Sequence, residues 1–332
     1  MSNLIRKETV RDVTWDYARG IAIVMIVFHH LYPRFYIDPE FQPNSIIYLI
    51  CYTCQLPIFM YVSGLFANIS FNRYGLFDLL KNRAVRLLLP FISFMLIWSV
   101  ITPENYPSTL FHNFKDGYWF IFVLFEMMAL LAFSKWITQK KQIKHIYIIT
   151  IIYLTLTCLK FTIKETNIIN GFFSLNLLWH YFPFFVMGYY SGKIEWLFQK
   201  RYALIAALVY AVSLVVLQKN RSHACIPLCN ISSLILTITL FTKGIRPFER
   251  MFAFIGIYSM QIYLLHFFAR LFTNHINYFE NPIEEFGLDI LLTTLLVIVC
   301  IFVAKIVMRY EVLAMCLFGI KKRKRTKETT NK

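Results

Sequence analysis

Near its C-terminus the chain reads Ile290-Leu291-Leu292-Thr293-Thr294-Leu295-Leu296-Val297-Ile298-Val299-Cys300-Ile301-Phe302-Val303-Ala304, with no charged side chain. Asp289 precedes this run, and Lys305 and Arg309 follow it. A hydrocarbon core about 30 Å thick takes about 20 helical residues to cross, and the block from 288 to 310 is long enough. Comparable blocks recur at 15–33, 45–66, 87–102, 118–136, 145–163, 176–192, 202–218, 225–242 and 251–273. Only helices and closed barrels satisfy the backbone inside a bilayer, and unbroken apolar runs without alternation mean helices. The expected fold class is therefore an all-α integral membrane protein with about ten transmembrane helices.

Composition agrees. Of the 332 residues, 58% are hydrophobic and 18% aromatic, while 16% are charged. A soluble domain of this size carries about 25% charged residues. Lys and Arg number 34 against 18 Asp and Glu, a net charge of +16. In a soluble chain that excess would suggest nucleic acid. In a membrane protein it belongs to the loops that stay in the cytoplasm. The run Lys321-Lys322-Arg323-Lys324-Arg325 directly follows a span and is read as facing anionic headgroups, so no nucleic-acid partner is expected. Cys51 and Cys54 have the spacing of a metal or redox pair. They lie in an apolar segment without a second pair, so no metal site is expected.

The basic residues also orient the chain. Arg6, Lys7 and Arg11 precede the first span; Arg73, Lys81, Arg83 and Arg86 separate the second and third; Lys135, Lys140, Lys141 and Lys144 separate the fourth and fifth. Lys193, Lys200 and Arg201 follow the sixth, and Lys243, Arg246 and Arg250 the eighth. The alternate loops are sparser, with Arg34, Lys115, Lys160, Lys164, Lys219 and Arg221, and one is acidic around Glu280, Glu284, Glu285 and Asp289. Both termini are thus expected in the cytoplasm. The expected organisation is a cytoplasmic segment 1–14, a transmembrane domain 15–310 and a basic cytoplasmic tail 311–332. The first span has no small-residue cleavage site after it, so it reads as a span and not a signal peptide. No appended soluble domain is expected.

Chemistry concentrates in the first span, Trp15-Asp16-Tyr17-Ala18-Arg19-Gly20, an apolar run, then His29-His30. Ionisable groups inside a span cost a few kcal/mol, so they are candidates for function by default. Arg19 and His30 are eleven steps apart, about 1100° of helical turn, which leaves them within roughly 20° of one another on one face. His29 falls about 80° to the side. The rise separates Arg19 and His30 by roughly 16 Å, so they divide the work and do not share one reacting atom. A guanidinium suits phosphate; an imidazole suits removal of a proton from a hydroxyl. An arginine that snorkels to one interface and a histidine at the other fit this span equally well.

Asp16-x-x-Arg19-Gly20, a hydrophobic run and His30 resemble the first helix of the membrane-bound acyltransferase-3 family, which includes O-acetyltransferases of bacterial surface polysaccharides. The likeness continues in order: Leu56-Pro57-Ile58-Phe59-Met60-Tyr61-Val62-Ser63-Gly64, then Lys81-Asn82-Arg83-Ala84-Val85-Arg86-Leu87-Leu88-Leu89-Pro90 as a basic loop into helix three. Tyr118-Trp119-Phe120, Tyr181-Phe182-Pro183-Phe184-Phe185 through Gly188, and Ile257-Tyr258-Ser259 through Tyr263 and His266 follow. The resemblance implies a bacterial cell-membrane enzyme moving an acetyl or other short acyl group from acetyl-CoA, or another acyl-CoA, to a carbohydrate hydroxyl. That acceptor would belong to a surface polysaccharide or its lipid-linked precursor. It implies His30 as general base and Arg19 as partner of the donor. Larger family members carry an extra soluble esterase-like domain, for which this chain has no room, so the acceptor is expected to enter the membrane domain directly.

Other residues are read with two roles each. Arg83 and Arg86 share a helical side and with Arg19 would form a basic mouth for coenzyme A phosphates, or they are ordinary positive-inside residues. Ser63-Gly64 lets helices approach closely, or aims a hydroxyl at the thioester. Trp119 stacks on a ring of the donor or sits in the interfacial belt. His266, Arg270, His180 and Glu126 are functional groups or parts of a structural network, and His29 is read as a satisfied neighbour. No Gly-x-Ser-x-Gly elbow, His-Glu-x-x-His pair or phosphate-binding Gly-Lys-Ser or Gly-Lys-Thr loop occurs. Two rivals remain at this stage: a glycan or lipid transporter without covalent chemistry, and a structural subunit of a polysaccharide complex. The sugar, the hydroxyl and the oligomeric state are not legible.

Overall fold

The computed structural model describes residues 12–31, 46–71, 75–101, 108–164, 167–220, 223–273 and 282–321. The basic residues Arg6, Lys7, Arg11, Arg34, Arg73, Arg221 and Lys322 to Arg325, and Glu280, lie outside these. Among the described residues fourteen α-helices follow one another: α1 Val13–Leu31, α2 Ile46–Phe71, α3 Leu76–Ile101, α4 Trp119–Lys141, α5 His145–Thr162, α6 Ile168–Phe173 and α7 Leu175–Tyr189. Then come α8 Lys200–Asn220, α9 Ile226–Thr242, α10 Glu249–Ile257, α11 Ser259–Leu265, α12 Arg270–Thr273, α13 Pro282–Val307 and α14 Glu311–Phe318. No strand occurs among the described residues.

The protein is an all-helical integral membrane protein. Among the described residues, six helices are long and apolar enough to cross a bilayer: Ile46–Phe71, Leu76–Ile101, Trp119–Lys141, His145–Thr162, Lys200–Lys219 and Ile283–Val307. The broken pair Glu249–Ile257 and Ser259–Phe272 makes a seventh if taken as one span. Among the ten expected stretches, α1, α7 and α9 are helices of 19, 15 and 17 residues.

Two differences from the sequence reading have physical causes. The third helix begins at Leu76, well before the expected 87, so the helical side shared by Arg83 and Arg86 belongs to α3 itself, with Lys81 on the same helix. Lys and Arg are good helix formers, and Asp78 in the first turn complements the macrodipole. The stretch 251–273 is broken between two anchorages. α10 is held by Gly256 against α1, and α11 is held by Tyr263 against the start of α4.

The chain forms two compact units. The first comprises residues 1–62, 194–259 and 273–293. In it α1 lies along α10 with their backbones touching. A Cβ on Gly20 would overlap the Phe252 carbonyl oxygen, and one on Gly256 would overlap that of Asp16. Tyr17 fills the adjoining space edge-on to Phe241, with ring centroids 5.0 Å apart. Arg246 closes the start of α1 by donating to Thr14 Oγ1 at 2.7 Å while pairing with Glu249. Where α2 meets α8 and α9, Tyr210 bonds Thr53 Oγ1 at 2.9 Å and Cys54 Sγ at 3.2 Å, and Ser233 donates to the Thr53 carbonyl at 3.1 Å. Lipid tails are as apolar as leucine, so such small residues and buried polar bonds supply the helix-to-helix attraction.

The second unit comprises residues 63–193, 260–272 and 294–332. Gly64 meets the Phe185 carbonyl with no room for a side chain, bringing α2 against α7. α14 packs on α3 through Ser93 Oγ, which donates to the Cys316 carbonyl at 2.9 Å. It ends at Gly319, whose φ of +63° closes the helix beside the Arg86 backbone. The turn before α4 is unusual, because Lys115, Asp116 and Gly117 are all left-handed, with φ of 42°, 49° and 95°. Non-glycine residues adopt that region at a cost and persist there only when their surroundings over-determine them. Three things do so here. The buried Lys115 ammonium donates to the carbonyls of Leu110, His112 and Gly171 at 3.2, 3.3 and 2.7 Å. Tyr263 donates to the Gly117 carbonyl and accepts from the Phe120 N–H. Tyr118 accepts from Trp98 Nε1 at 2.8 Å and donates to the Leu264 carbonyl at 3.1 Å.

Candidate active site

Arg19 and His30 both project from α1, in the first unit. The helix is continuous from Val13 to Leu31, so the spacing expected from the helical rise applies. Asp16, itself buried, accepts from the Arg19 guanidinium, which remains a quarter exposed. That charge pair across three residues neutralises the cost of an arginine at this depth and fixes its direction. Gly20 follows at once because the neighbouring backbone of α10 leaves no space for a side chain. Asp16, Arg19 and Gly20 therefore form one device. The glycine admits the helix contact, and the aspartate holds the arginine beside it.

His30 is half-buried at the other end of α1, its ring edge-on to His29 at 5.4 Å between centroids. His29 was expected to be a satisfied neighbour. In the structure both its ring nitrogens are shielded from solvent, and neither has a hydrogen-bond partner among the described residues. The ring lies instead against Tyr48 and Tyr52 of α2, at 4.5 and 5.7 Å.

Arg83, Arg86, Ser63 and Trp119 belong to the second unit. Arg83 donates to Ser70 Oγ at 2.5 Å, linking α3 to the last turn of α2. Arg86, three residues on, is exposed. Ser63 is half-buried on α2 next to the close contact at Gly64. Trp119 is buried with its ring stacked on Tyr181, 5.6 Å away at 20°, so one face is already covered by protein.

The remaining candidates divide. His266 is wholly buried and its Nδ1 lies 2.7 Å from the Tyr263 carbonyl, a bond within its own helical stretch. His180 sits edge-on to Tyr181 at 4.7 Å. Both carboxylate oxygens of Glu126 are shielded and without a hydrogen-bond partner among the described residues. Lys115 was counted only as a loop charge, yet it clamps the strained turn that launches Trp119. A single lysine in an irregular connection carries no periodic signal, so its sequence context offered nothing to find it by. Among the described residues no three His, Cys, Asp or Glu side chains are grouped to hold a metal ion.

Comparison with known proteins decides the family. The acyltransferase domain profile of the acyltransferase-3 family matches residues 12–309, nearly the whole chain. The chain belongs to the acyltransferase-3 family. Its apolar helices fit the multi-pass membrane proteins of that family. Among curated proteins it is similar to nodulation protein NolL of Sinorhizobium fredii (strain NBRC 101917 / NGR234), 25% identical over 214 residues, covering 56% of this chain and 50% of that protein. Nodulation protein NolL of Mesorhizobium japonicum (strain LMG 29417 / CECT 9101 / MAFF 303099) is 24% identical over 204 residues, covering 56% and 49%. The matches span about half the length of these relatives. No solved structure matches the chain.

Proposed function

We propose that this acyltransferase moves an acetyl or other short acyl group from acyl-CoA to a hydroxyl of a cell-surface polysaccharide or its lipid-linked precursor. It would do so in the bacterial plasma membrane, crossed about ten times with both termini in the cytoplasm. The observation that carries the reading is the Arg19–His30 stripe of α1 in a chain of this family, with Asp16 holding Arg19. In this reading His30 Nε2 or Nδ1 takes the proton from the acceptor hydroxyl as its oxygen attacks the thioester carbonyl. The coenzyme A thiolate leaves and is protonated, so the acyl group passes directly from sulfur to oxygen. Arg19, some way along the stripe from His30, holds a donor phosphate. For Arg83, Arg86, Ser63 and Trp119 the proposed role is donor binding, phosphate for the arginines and the adenine ring for Trp119. Placement of both substrates in a low-dielectric site supplies much of the rate gain.

The test is thiol release from acetyl-CoA by the purified, detergent-solubilised protein with a surface-glycan acceptor, comparing wild type and His30→Ala. Acceptor-dependent release is expected to fall at least about a hundredfold in the variant, the lower end of what a general base contributes. Full transfer by a folded His30→Ala protein would refute the base assignment. No release by folded wild type with any acyl-CoA would favour transport of a glycan or lipid instead.

A further inference from the structure

From the orphaned imidazole of His29 we infer that His29, with Tyr48, Tyr52 and Gln55, is the subsite that binds the carbohydrate acceptor beside His30. The inference rests on the transferase reading and assigns its acceptor side to particular residues. A neutral imidazole carries one donor and one acceptor nitrogen, and both nitrogens of His29 are shielded and without a partner among the described residues. A buried polar group in that condition is costly, and native structures keep one where it serves a purpose. Packing alone would be served as well by phenylalanine, which carries no unmet demand.

The surroundings say what would meet that demand. Tyr48 and Tyr52 hold their rings parallel, at 2° to one another with centroids 6.4 Å apart, and His29 stacks against both at 26°. One turn further along the same stripe of α2, at steps of four and three residues, stands Gln55. It is buried, and its Oε1 also lacks a partner among the described residues. Flat aromatic rings suit the C–H face of a sugar, while a donor–acceptor imidazole and an amide oxygen suit its hydroxyls. His29 and His30 are adjacent in sequence with rings 5.4 Å apart, so a sugar bonded by His29 has a second hydroxyl within reach of His30. Neither an acyl chain, which has no donors, nor a phosphate, which would call for fixed cations, matches this set.

The experiment compares wild type with His29→Phe, which keeps the ring and removes both nitrogens, in the full-length solubilised protein. Probes are the methyl glycosides of glucose, galactose, mannose and N-acetylglucosamine. Saturation-transfer NMR reads their binding without acyl-CoA, and thiol release reads turnover. The expected result is loss of the glycoside transfer signal and a rise of about tenfold in glycoside KM, with the KM for acetyl-CoA within about twofold of wild type. Should His29→Phe fail to elute as a monodisperse protein, Tyr52→Leu carries the same comparison through the aromatic face. The inference is overturned by unchanged glycoside binding in a folded variant, by a shift in acetyl-CoA KM alone, or by wild type that binds none of the glycosides. His29-dependent glycoside binding without thiol release would sustain the subsite and sink the transferase reading.

Discussion

Replacing Gly20 by alanine sets two effects against each other, and the structure says which wins. Helix propensity alone favours alanine over glycine by about 0.8–1 kcal/mol. At Gly20, however, the new methyl would lie inside the Phe252 carbonyl oxygen, with the Gly256 N–H also crowded. Carbon and carbonyl oxygen meet at about 3.3 Å, so α1 and α10 would have to separate by roughly 1.5 Å. Both partners are backbone, so no side-chain rotation relieves the overlap. Overpacking of this kind costs about 1–3 kcal/mol, and separation also loosens Tyr17 from Phe252, now 5.9 Å apart. The propensity gain leaves roughly 0–2 kcal/mol of the overpacking cost, and the loosened aromatic pair adds about 0.5–1.5 kcal/mol. The net expectation is destabilisation by about 0.5–3.5 kcal/mol, a fall of a few degrees in melting temperature for a chain of this size. Thermal melting followed by size-exclusion chromatography of the solubilised protein measures it. The double variant Gly20→Ala/Gly256→Ala should cost little more than either single change, because the same separation accommodates both methyls. A Gly20→Ala protein that melts at or above the wild-type temperature would refute the close-contact argument and leave propensity as the governing term.

Lys115→Met removes the donor shared by the Leu110, His112 and Gly171 carbonyls and should cost about 1.5–3 kcal/mol, read as a lower melting temperature with the fold retained. Lys115 sits in a connection outside the spanning helices, where burial pushes its ammonium down to about 8 against an upward pull from Glu126. The folded value lies below the unfolded one of about 10.4, so the unfolded chain holds more protons in that window and the Lys115 contribution to stability rises with pH. The melting difference between wild type and Lys115→Met should therefore widen from about pH 7.5 to about pH 9.5, and a constant or narrowing gap would count against the assignment. Tyr118→Phe leaves the Trp98 N–H and the Leu264 carbonyl without their partner and should cost about 1–3 kcal/mol; adding Trp98→Phe should then cost less than it does in wild type.

Much of the site chemistry could be read along the chain. Arg19 and His30 share one helix, and an α-helix converts a separation in sequence into a direction and a rise without reference to anything else. Asp16 lay at pairing distance from Arg19 for the same reason. The ionic cost of a bilayer interior made these residues conspicuous, and their order with the later aromatic and proline segments identified the family. Apolar blocks longer than a bilayer is thick, with few charges to interrupt them, decided an all-helical membrane fold. Which side of each helix meets protein was a different matter. In water an apolar stripe marks the buried face, whereas in lipid both faces are apolar and the pattern is mute. So Gly20 against Gly256 and Gly64 against Phe185 emerged only when distant segments came together. The same holds for Lys115 in its three carbonyls, and for the stacking of Trp119 on Tyr181. His29 is the sharpest case: its sequence neighbours suggested a satisfied side chain, and only the placement of Tyr48 and Tyr52 showed rings where hydrogen-bond partners were expected. Local geometry is written in the order of residues; whether a buried polar atom finds a partner depends on chain segments that no local rule connects.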